Sequence, residues 1–344
     1  MNRKKDDNYK IAIVNSSTFG RNFPDLMEEL EEIGNVTRFQ VESNAPGGEL
    51  AEKLAGYDFV VASVNPRFSR EFFRQNDSVE LIARHGIGCD NVDISAATDA
   101  GVVVTRVEGE YERDAVAELT LALILTCSRG IIPASEAAKG DNWSRRREFV
   151  GRELSRMEVG VVGYGNIGSR VAEIIREGYG ADVSAYDPNV ADAVIAKNGI
   201  NPVGFEEILT GSDLLSFNAS LNDENYHFIG EEEFEMMRQG VIIVNTARGE
   251  LLDEEAFVKA LRSGKVRCAG LDVLEDEPPD PGSPMVNLDN LYVLPHVGSY
   301  TDYSLRAMDA KMVEDIKRLA AGELPGAVVN PAVLRAENRA GVRR

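Results

Sequence analysis

The feature that most constrains this chain is a glycine loop, Gly163-Tyr164-Gly165-Asn166-Ile167-Gly168, set between the apolar run Val159–Val162 and a helical stretch through Arg170–Gly178. A strand that turns into a helix over three glycines has few uses. One glycine makes the tight turn, one lets backbone approach a pyrophosphate, and one lets the helix lie close on the strand. Glycine-rich turns also recur by chance, so the context matters. Nineteen residues past Gly168, at the end of the next apolar run, Asp187 stands in Tyr186-Asp187-Pro188. An acid there accepts both hydrogen bonds of an adenosine ribose diol, although a plain turn residue before proline is the simpler alternative. A 2′-phosphate would meet the same carboxylate, and Pro188, Asn189 and Val190 offer no cation to offset it, so the expected cofactor is NAD.

The rest of the chain repeats an α/β rhythm. Ile11–Val14, Phe59–Ala62, Leu81–Arg84 and Val102–Thr105 read as strands between helical stretches such as Pro24–Ile33 and Gly48–Leu54, the pattern of a parallel sheet. From Val159 a second series begins: Val159–Gly163, Asp182–Tyr186, Leu214–Asn218, Val241–Asn245, Cys268–Val273 and Leu291–Leu294, which suits a doubly wound nucleotide fold. Between them Arg113–Leu125 is apolar on nearly every side, as a helix buried between domains or subunits would be. An amphipathic helix over Asp302–Ala321 and an extended piece, Gly326–Pro331, are expected to return to the first domain. Two α/β domains follow, one from 1–106 with 297–344 that binds substrate, and a Rossmann domain over 107–296. Arg335–Arg344 is expected to fray.

Composition narrows the partners. A formal net charge of -20 argues against nucleic acid or an anionic membrane, while a local arginine and helix N-termini still suit an anionic substrate. The three cysteines, Cys89, Cys127 and Cys268, are widely spaced with no CxxC or histidine companions, so reduced thiols and no metal site are expected. The polar start and the lack of a long apolar run predict a cytoplasmic protein.

With NAD the chemistry is hydride transfer. A keto acid partner needs a cation for its carboxylate and carbonyl, and a proton donor active near neutrality. Only His85, His227 and His296 are available. His296 follows an apolar run in Leu294-Pro295-His296-Val297-Gly298, at a strand's carboxyl end, where open α/β sheets bind ligands. Arg248 follows Val244-Asn245-Thr246-Ala247 in the same way, and Glu277 closes Asp272-Val273-Leu274-Glu275-Asp276-Glu277-Pro278. A carboxylate bonded to an imidazole fixes its tautomer and favours its protonated form, which makes Glu277 the expected partner of His296. The plainer alternatives are a surface ion pair for Arg248, a satisfied loop histidine at 296, a turn acid at 277 and a strand-end cap at Asp272. His227 reads as a surface residue.

Gly163–Gly168, Asn245–Gly249, Gly270–Pro278 and Pro295–Gly298 together resemble the successive motifs of the D-isomer-specific 2-hydroxyacid dehydrogenases, over nearly the whole chain. Arg84-His85-Gly86-Ile87-Gly88-Cys89-Asp90-Asn91-Val92-Asp93 resembles that family's substrate loop. The resemblance implies an α/β fold of two domains: a Rossmann NAD-binding domain, and a flavodoxin-like substrate domain built from both ends of the chain. It implies that Gly163, Gly165, Asn166, Ile167 and Gly168 hold the cofactor phosphates, with Asp187, Thr246, Ala247 and Asp272 also at the cofactor, Asp272 on the nicotinamide carboxamide. It implies that backbone N–H groups around His85, Gly86, Ile87 and Gly88 bind the substrate carboxylate with Arg248, that His296 is the acid/base with Glu277 behind it, and that the protein is a homodimer.

The expected function is interconversion of a small D-2-hydroxy acid and its 2-keto acid. D-3-phosphoglycerate dehydrogenase activity is an alternative, to which the Gly86-Ile87-Gly88 loop is also similar; no appended regulatory domain is expected after Pro331, though short forms of that enzyme occur. A non-enzymatic NAD-sensing protein is another. Two segments depart from the family: Arg106–Asp114 replaces its Asn-x-Pro-Gly, and Phe217-Asn218-Ala219-Ser220-Leu221-Asn222 replaces its Leu-His-x-Pro-Leu-Thr. Tyr111 or Arg113, with Arg67, is expected to shape the substrate pocket, unless these are hinge and surface residues.

Overall fold

A computed structural model describes residues 8–334; residues 1–7 and the Arg335–Arg344 tail lie outside the described residues. The chain divides into two units, Met1–Glu112 with Tyr300–Arg344, and Arg113–Ser299.

In the first unit β1 (Tyr9–Val14), β2 (Gly34–Phe39), β3 (Phe59–Ala62), β4 (Leu81–Arg84) and β5 (Val103–Arg106) form one parallel sheet in the order β2-β1-β3-β4-β5. That is the flavodoxin-like order. β3 and β4 are buried along their whole length, which is why they read as unbroken apolar runs. β2 escaped the sequence reading because it is an edge strand, with Asn35, Arg38 and Thr37 turned outward to different degrees. One face of the sheet packs on Leu50, Phe68 and Phe72, the other on Leu26, Leu30 and the helix Asp302–Ala320. Leu305, Met308, Met312 and Ile316 recur at three- and four-residue spacing and give that helix its buried stripe. The Thr301 hydroxyl caps it, accepting from Ser304 N at 3.2 Å. The following segment pairs beside β5, with Val329 N donating to Val104 O at 2.8 Å.

The second unit carries β6 (Glu158–Val162), β7 (Asp182–Tyr186), β8 (Asn201–Pro202), β9 (Leu214–Phe217), β10 (Val241–Asn245), β11 (Val266–Leu271) and β12 (Leu291–Val293). All are parallel, in the order β12-β11-β10-β9-β6-β7-β8, which is the Rossmann order with an added strand at the β12 edge. The sequence showed six of these seven strands. β8 is two residues long and ends in proline, so it has no apolar signature to read. The strand order reverses at β6, which lies between β7 and β9 and so marks the switch point where ligands bind.

The helix read as Arg113–Leu125 runs over Gly109–Arg129 and so begins inside the atypical segment. Ala117, Leu121, Ile124 and Cys127 enter the core beside Val159, Val161 and Ile175, whereas Glu118 and Ala122 are exposed. It is therefore not buried all round. The three cysteines are free thiols. Among the described residues no single helix is long and apolar enough to cross a membrane.

Candidate active site

The glycine loop sits at the carboxyl end of β6, and the helix Asn166–Tyr179 starts from it. Gly163 has φ +90°, and a Cβ there would lie 2.7 Å from the backbone carbon of Asn218 on the β9 loop. Gly168 packs against the Gly163 carbonyl, so helix and strand meet without a side chain between them. Gly165 differs: a Cβ there would meet nothing within 4 Å. Two glycines thus serve packing, and the third keeps a space open in front of a helix N-terminus, which suits a phosphate. Asp187 stands beside it, with Oδ2 accepting from Tyr164 N at 2.7 Å and Oδ1 from Asn189 N at 2.9 Å. Each oxygen keeps a second lone pair for a diol, so the site fits NAD. Asn218 Oδ1 is buried beside the loop with no hydrogen-bond partner among the described residues, an acceptor left for a donor from outside the chain.

Three other strand ends of the same sheet carry the arginine, carboxylates and histidine singled out in the sequence. After β10, the buried Asn245 shapes the turn: its Nδ2 donates to Arg248 O at 2.7 Å and its Oδ1 accepts from Ala247 N at 2.9 Å. Arg248 is half-buried, with Nη1 on Ala247 O at 2.7 Å. The Thr246 hydroxyl meets that of Thr120 at 2.7 Å. After β11 comes Asp272, 1% exposed. Its two oxygens accept from Val297 N at 2.8 Å and Gly298 N at 2.7 Å, and its carbonyl accepts from His296 N at 2.9 Å. Burial pushes the Asp272 carboxyl above the ordinary carboxylate range, against the pull of these amides and His296.

This clamp explains the backbone of His296, which sits at φ +54°, a conformation a non-glycine residue holds only when its surroundings insist. His296 Nδ1 lies 2.7 Å from Glu277 Oε2, and Glu277 Oε1 accepts from Leu274 N at 3.0 Å. An ionised carboxylate only accepts, so Nδ1 carries a hydrogen and Nε2 is left to exchange a proton. Histidine and carboxylate are 30% and 27% exposed, open enough for a substrate to reach.

In the first unit the loop after β4 is braced from two sides. Arg84, itself buried, holds the His85 carbonyl and places Nε 3.3 Å from Asn91 Oδ1. His85 Nε2 lies 2.8 Å from Asp309 Oδ1, and Asp309 Oδ2 accepts from Gly20 N at 2.8 Å. His85 N donates to Ala62 O and Gly86 N to Arg84 O, whereas the amides of Ile87 and Gly88 meet no acceptor among the described residues. Arg67 is exposed and Tyr111 half-buried in this unit; in the other, Arg113 is engaged by Asp114 at 3.0 Å. Asp114 also takes Arg170 Nε at 2.7 Å, which fastens the end of the atypical segment to the helix of the glycine loop.

A family model described as D-isomer specific 2-hydroxyacid dehydrogenase, NAD binding domain, matches residues 121–298, just over half of the chain. The chain belongs to the D-isomer-specific 2-hydroxyacid dehydrogenase family. Its second unit is that family's NAD-binding domain. A D-3-phosphoglycerate dehydrogenase of Methanocaldococcus jannaschii is 35% identical over 307 residues, 89% of this chain and 57% of the relative. The chain thus spans little more than half the length of such relatives. A glyoxylate reductase of Thermococcus litoralis is 33% identical over 295 residues, covering 84% of this chain and 88% of its own. Among solved structures, a D-lactate dehydrogenase from Aquifex aeolicus complexed with NAD and lactic acid superposes with a TM-score of 0.83 at 28% identity, over 93% of this chain and 99% of that one.

Asp309, Tyr226 and Glu275, which brace the loops, carry no local signal in the sequence. Their partners lie far away in the chain, His85 by 224 positions from Asp309 and His227 by 48 from Glu275, and no local pattern links them.

Proposed function

We propose that the protein is an NAD-dependent oxidoreductase that interconverts a small D-2-hydroxy acid and its 2-keto acid. The observation that carries this reading is His296 Nδ1 held 2.7 Å from Glu277 on a loop clamped by Asp272. Bound NADH supplies the hydride. Gly163, Gly165, Asn166, Ile167 and Gly168 would hold its phosphates and Asp187 its ribose diol, with Thr246, Ala247 and Asp272 also on the cofactor side. The amides of Ile87 and Gly88, beside His85 and Gly86, take the substrate carboxylate. Arg248 pairs with carboxylate and carbonyl and stabilises the charge that develops on oxygen. His296 delivers the proton from Nε2, and Glu277 stabilises the imidazolium before transfer and holds the ring in line. The substrate-binding role falls to 1–106 with 297–344 and the cofactor role to 107–296.

We read the protein as a cytoplasmic homodimer. Ile131, Ile132, the lone Trp143 and Val150 are 49%, 39%, 68% and 80% exposed between positions 131 and 150, apolar side chains that a second copy would cover. Three free thiols suit a reducing compartment.

A panel of 2-keto acids with NADH, followed at the nicotinamide absorbance, tests the reading. Turnover with at least one acid is expected, and a preference for NADPH would remove Asp187 from its assigned role. Tight NADH binding without oxidation across a broad panel would favour a sensor instead.

A further inference from the structure

All three histidines of the chain are paired with a carboxylate, and two of those carboxylates sit two residues apart on one loop: Glu277 on His296, and Glu275 on His227. The proton-transfer reading gives the second pair no part. His227 is not the bare surface residue its sequence context suggests. Its ring stacks on Tyr226 with 4.0 Å between centroids, and Nε2 lies 3.0 Å from Glu275 Oε2. The Tyr226 hydroxyl donates to the other oxygen, Oε1, at 2.8 Å. The Glu275 amide donates to Glu254 Oε1 at 3.1 Å. His227 is itself fixed at φ +51°, with its N–H on Glu250 O at 2.8 Å. Both oxygens and the amide of Glu275 are thus held by groups from two other segments.

The neighbouring backbone is fixed too. Gly249, which follows Arg248, is pressed against the backbone of Leu274 and Glu275 so closely that a Cβ would have no room. The run from Asp272 to Pro278 has neither helix nor strand to stiffen it. Partly exposed ion pairs add little to stability, so three contacts on Glu275 have their main effect on where the loop lies. A reacting acid must be held to a fraction of an ångström, and a bare loop does not do that.

We infer that Tyr226, His227 and Glu275 form a latch of positioning residues, which sets the 274–277 loop so that Glu277 meets His296 while Gly249 keeps Arg248 alongside. The inference rests on the reading of Arg248, Glu277 and His296 as the reacting set. The latch touches no substrate.

Glu275→Ala in the full chain tests it. With the latch open, kcat falls about tenfold or more, because small misplacements of a reacting group are costly. The Kd for NADH stays within about twofold, since the glycine loop is not touched, and the KM for the keto acid changes by less than kcat. Thermal stability is nearly unchanged. The low-field Nδ1–H proton resonance of His296, assigned by its loss in His296→Gln, broadens or moves upfield. Glu275→Gln, which still accepts from the Tyr226 hydroxyl, recovers most of kcat and the resonance. Wild-type kcat together with an unchanged His296 resonance in Glu275→Ala overturns the latch. If Glu275→Ala does not fold, the Tyr226→Phe/His227→Phe double variant decides by the same readouts. Should the wild type oxidise no NADH with any keto acid, the functional reading fails by itself, and the resonance alone decides the latch.

Discussion

Replacing Asp272 by alanine removes the acceptor of two backbone amides at once and so tests the clamp on the His296 loop directly. Gly298 N is buried and loses a 2.7 Å bond, while Val297 N, which loses one of 2.8 Å, is partly open to water. A buried donor left without a partner costs about 1–3 kcal/mol, and the half-open one less, for a total of about 2–4 kcal/mol. Burial has pushed the Asp272 carboxyl up, so removing a disfavoured charge returns part of that and keeps the loss toward the lower end. For a domain of this size, about 2–4 °C in Tm accompanies each kcal/mol, so a loss of about 2–3 kcal/mol gives a drop of roughly 4–12 °C. Scanning calorimetry measures it. Without the carboxylate only the carbonyl of residue 272 and Glu277 still hold His296, and the amides of Val297 and Gly298 no longer fix its φ of +54°, so kcat falls along with Tm, whereas Asp272→Asn, which keeps one acceptor, lies between alanine and wild type in both. An alanine variant that melts within about 2 °C of wild type and keeps its kcat would refute the reasoning, since orphaned amides and a released backbone both have a measurable cost.

Other outcomes follow from the same geometry. His296→Gln lowers kcat about 10²–10⁴-fold, the usual share of a general acid, and leaves the NADH Kd, read by fluorescence titration, near wild type. The glycine loop separates two effects: Gly163→Ala lowers Tm because of φ +90° and the Asn218 backbone, whereas Gly165→Val folds normally and loses NADH affinity. Burial pushes the Asp213 carboxyl up, but Arg152 at 2.9 Å, the Glu158 amide and Arg238 more than reverse it and leave it below its ordinary value. Its stabilisation is therefore present above the unfolded-state pKa near 3.8 and lost as pH falls through the lower folded value. Urea unfolding should show Asp213→Asn weaker than wild type at neutral pH, with the gap closing in strong acid.

What could be read from residues alone was whatever is local. The glycine loop, Asp187 one strand later, and Arg248, Glu277 and His296 each just past an apolar run were visible because a parallel strand announces its end and ligands gather there. β2 and β8 were not visible, because edge strands need no continuous apolar face. The start of the Gly109–Arg129 helix was hidden by the charged residues of its first turn. Asp272 as the clamp on His296 was hidden for another reason: its bonds go to backbone amides, which carry no side-chain signature. The pairs His85–Asp309 and His227–Glu275 join residues that only the fold brings together.

The first unit takes its sheet from the early part of the chain but closes one face with the helix Asp302–Ala320 and flanks β5 with Val328 and Val329. During synthesis those five strands leave the ribosome well before the pieces that cover them. Until then Phe59, Leu81 and Val103 lack the Leu305, Met312 and Ile316 surface that shields them, and His85 lacks Asp309. Arg113–Ser299 carries all seven of its own strands within one continuous stretch and meets no such delay. The later-starting unit is thus the first able to fold, and the period in which the earlier one waits open is when this chain has most need of a chaperone.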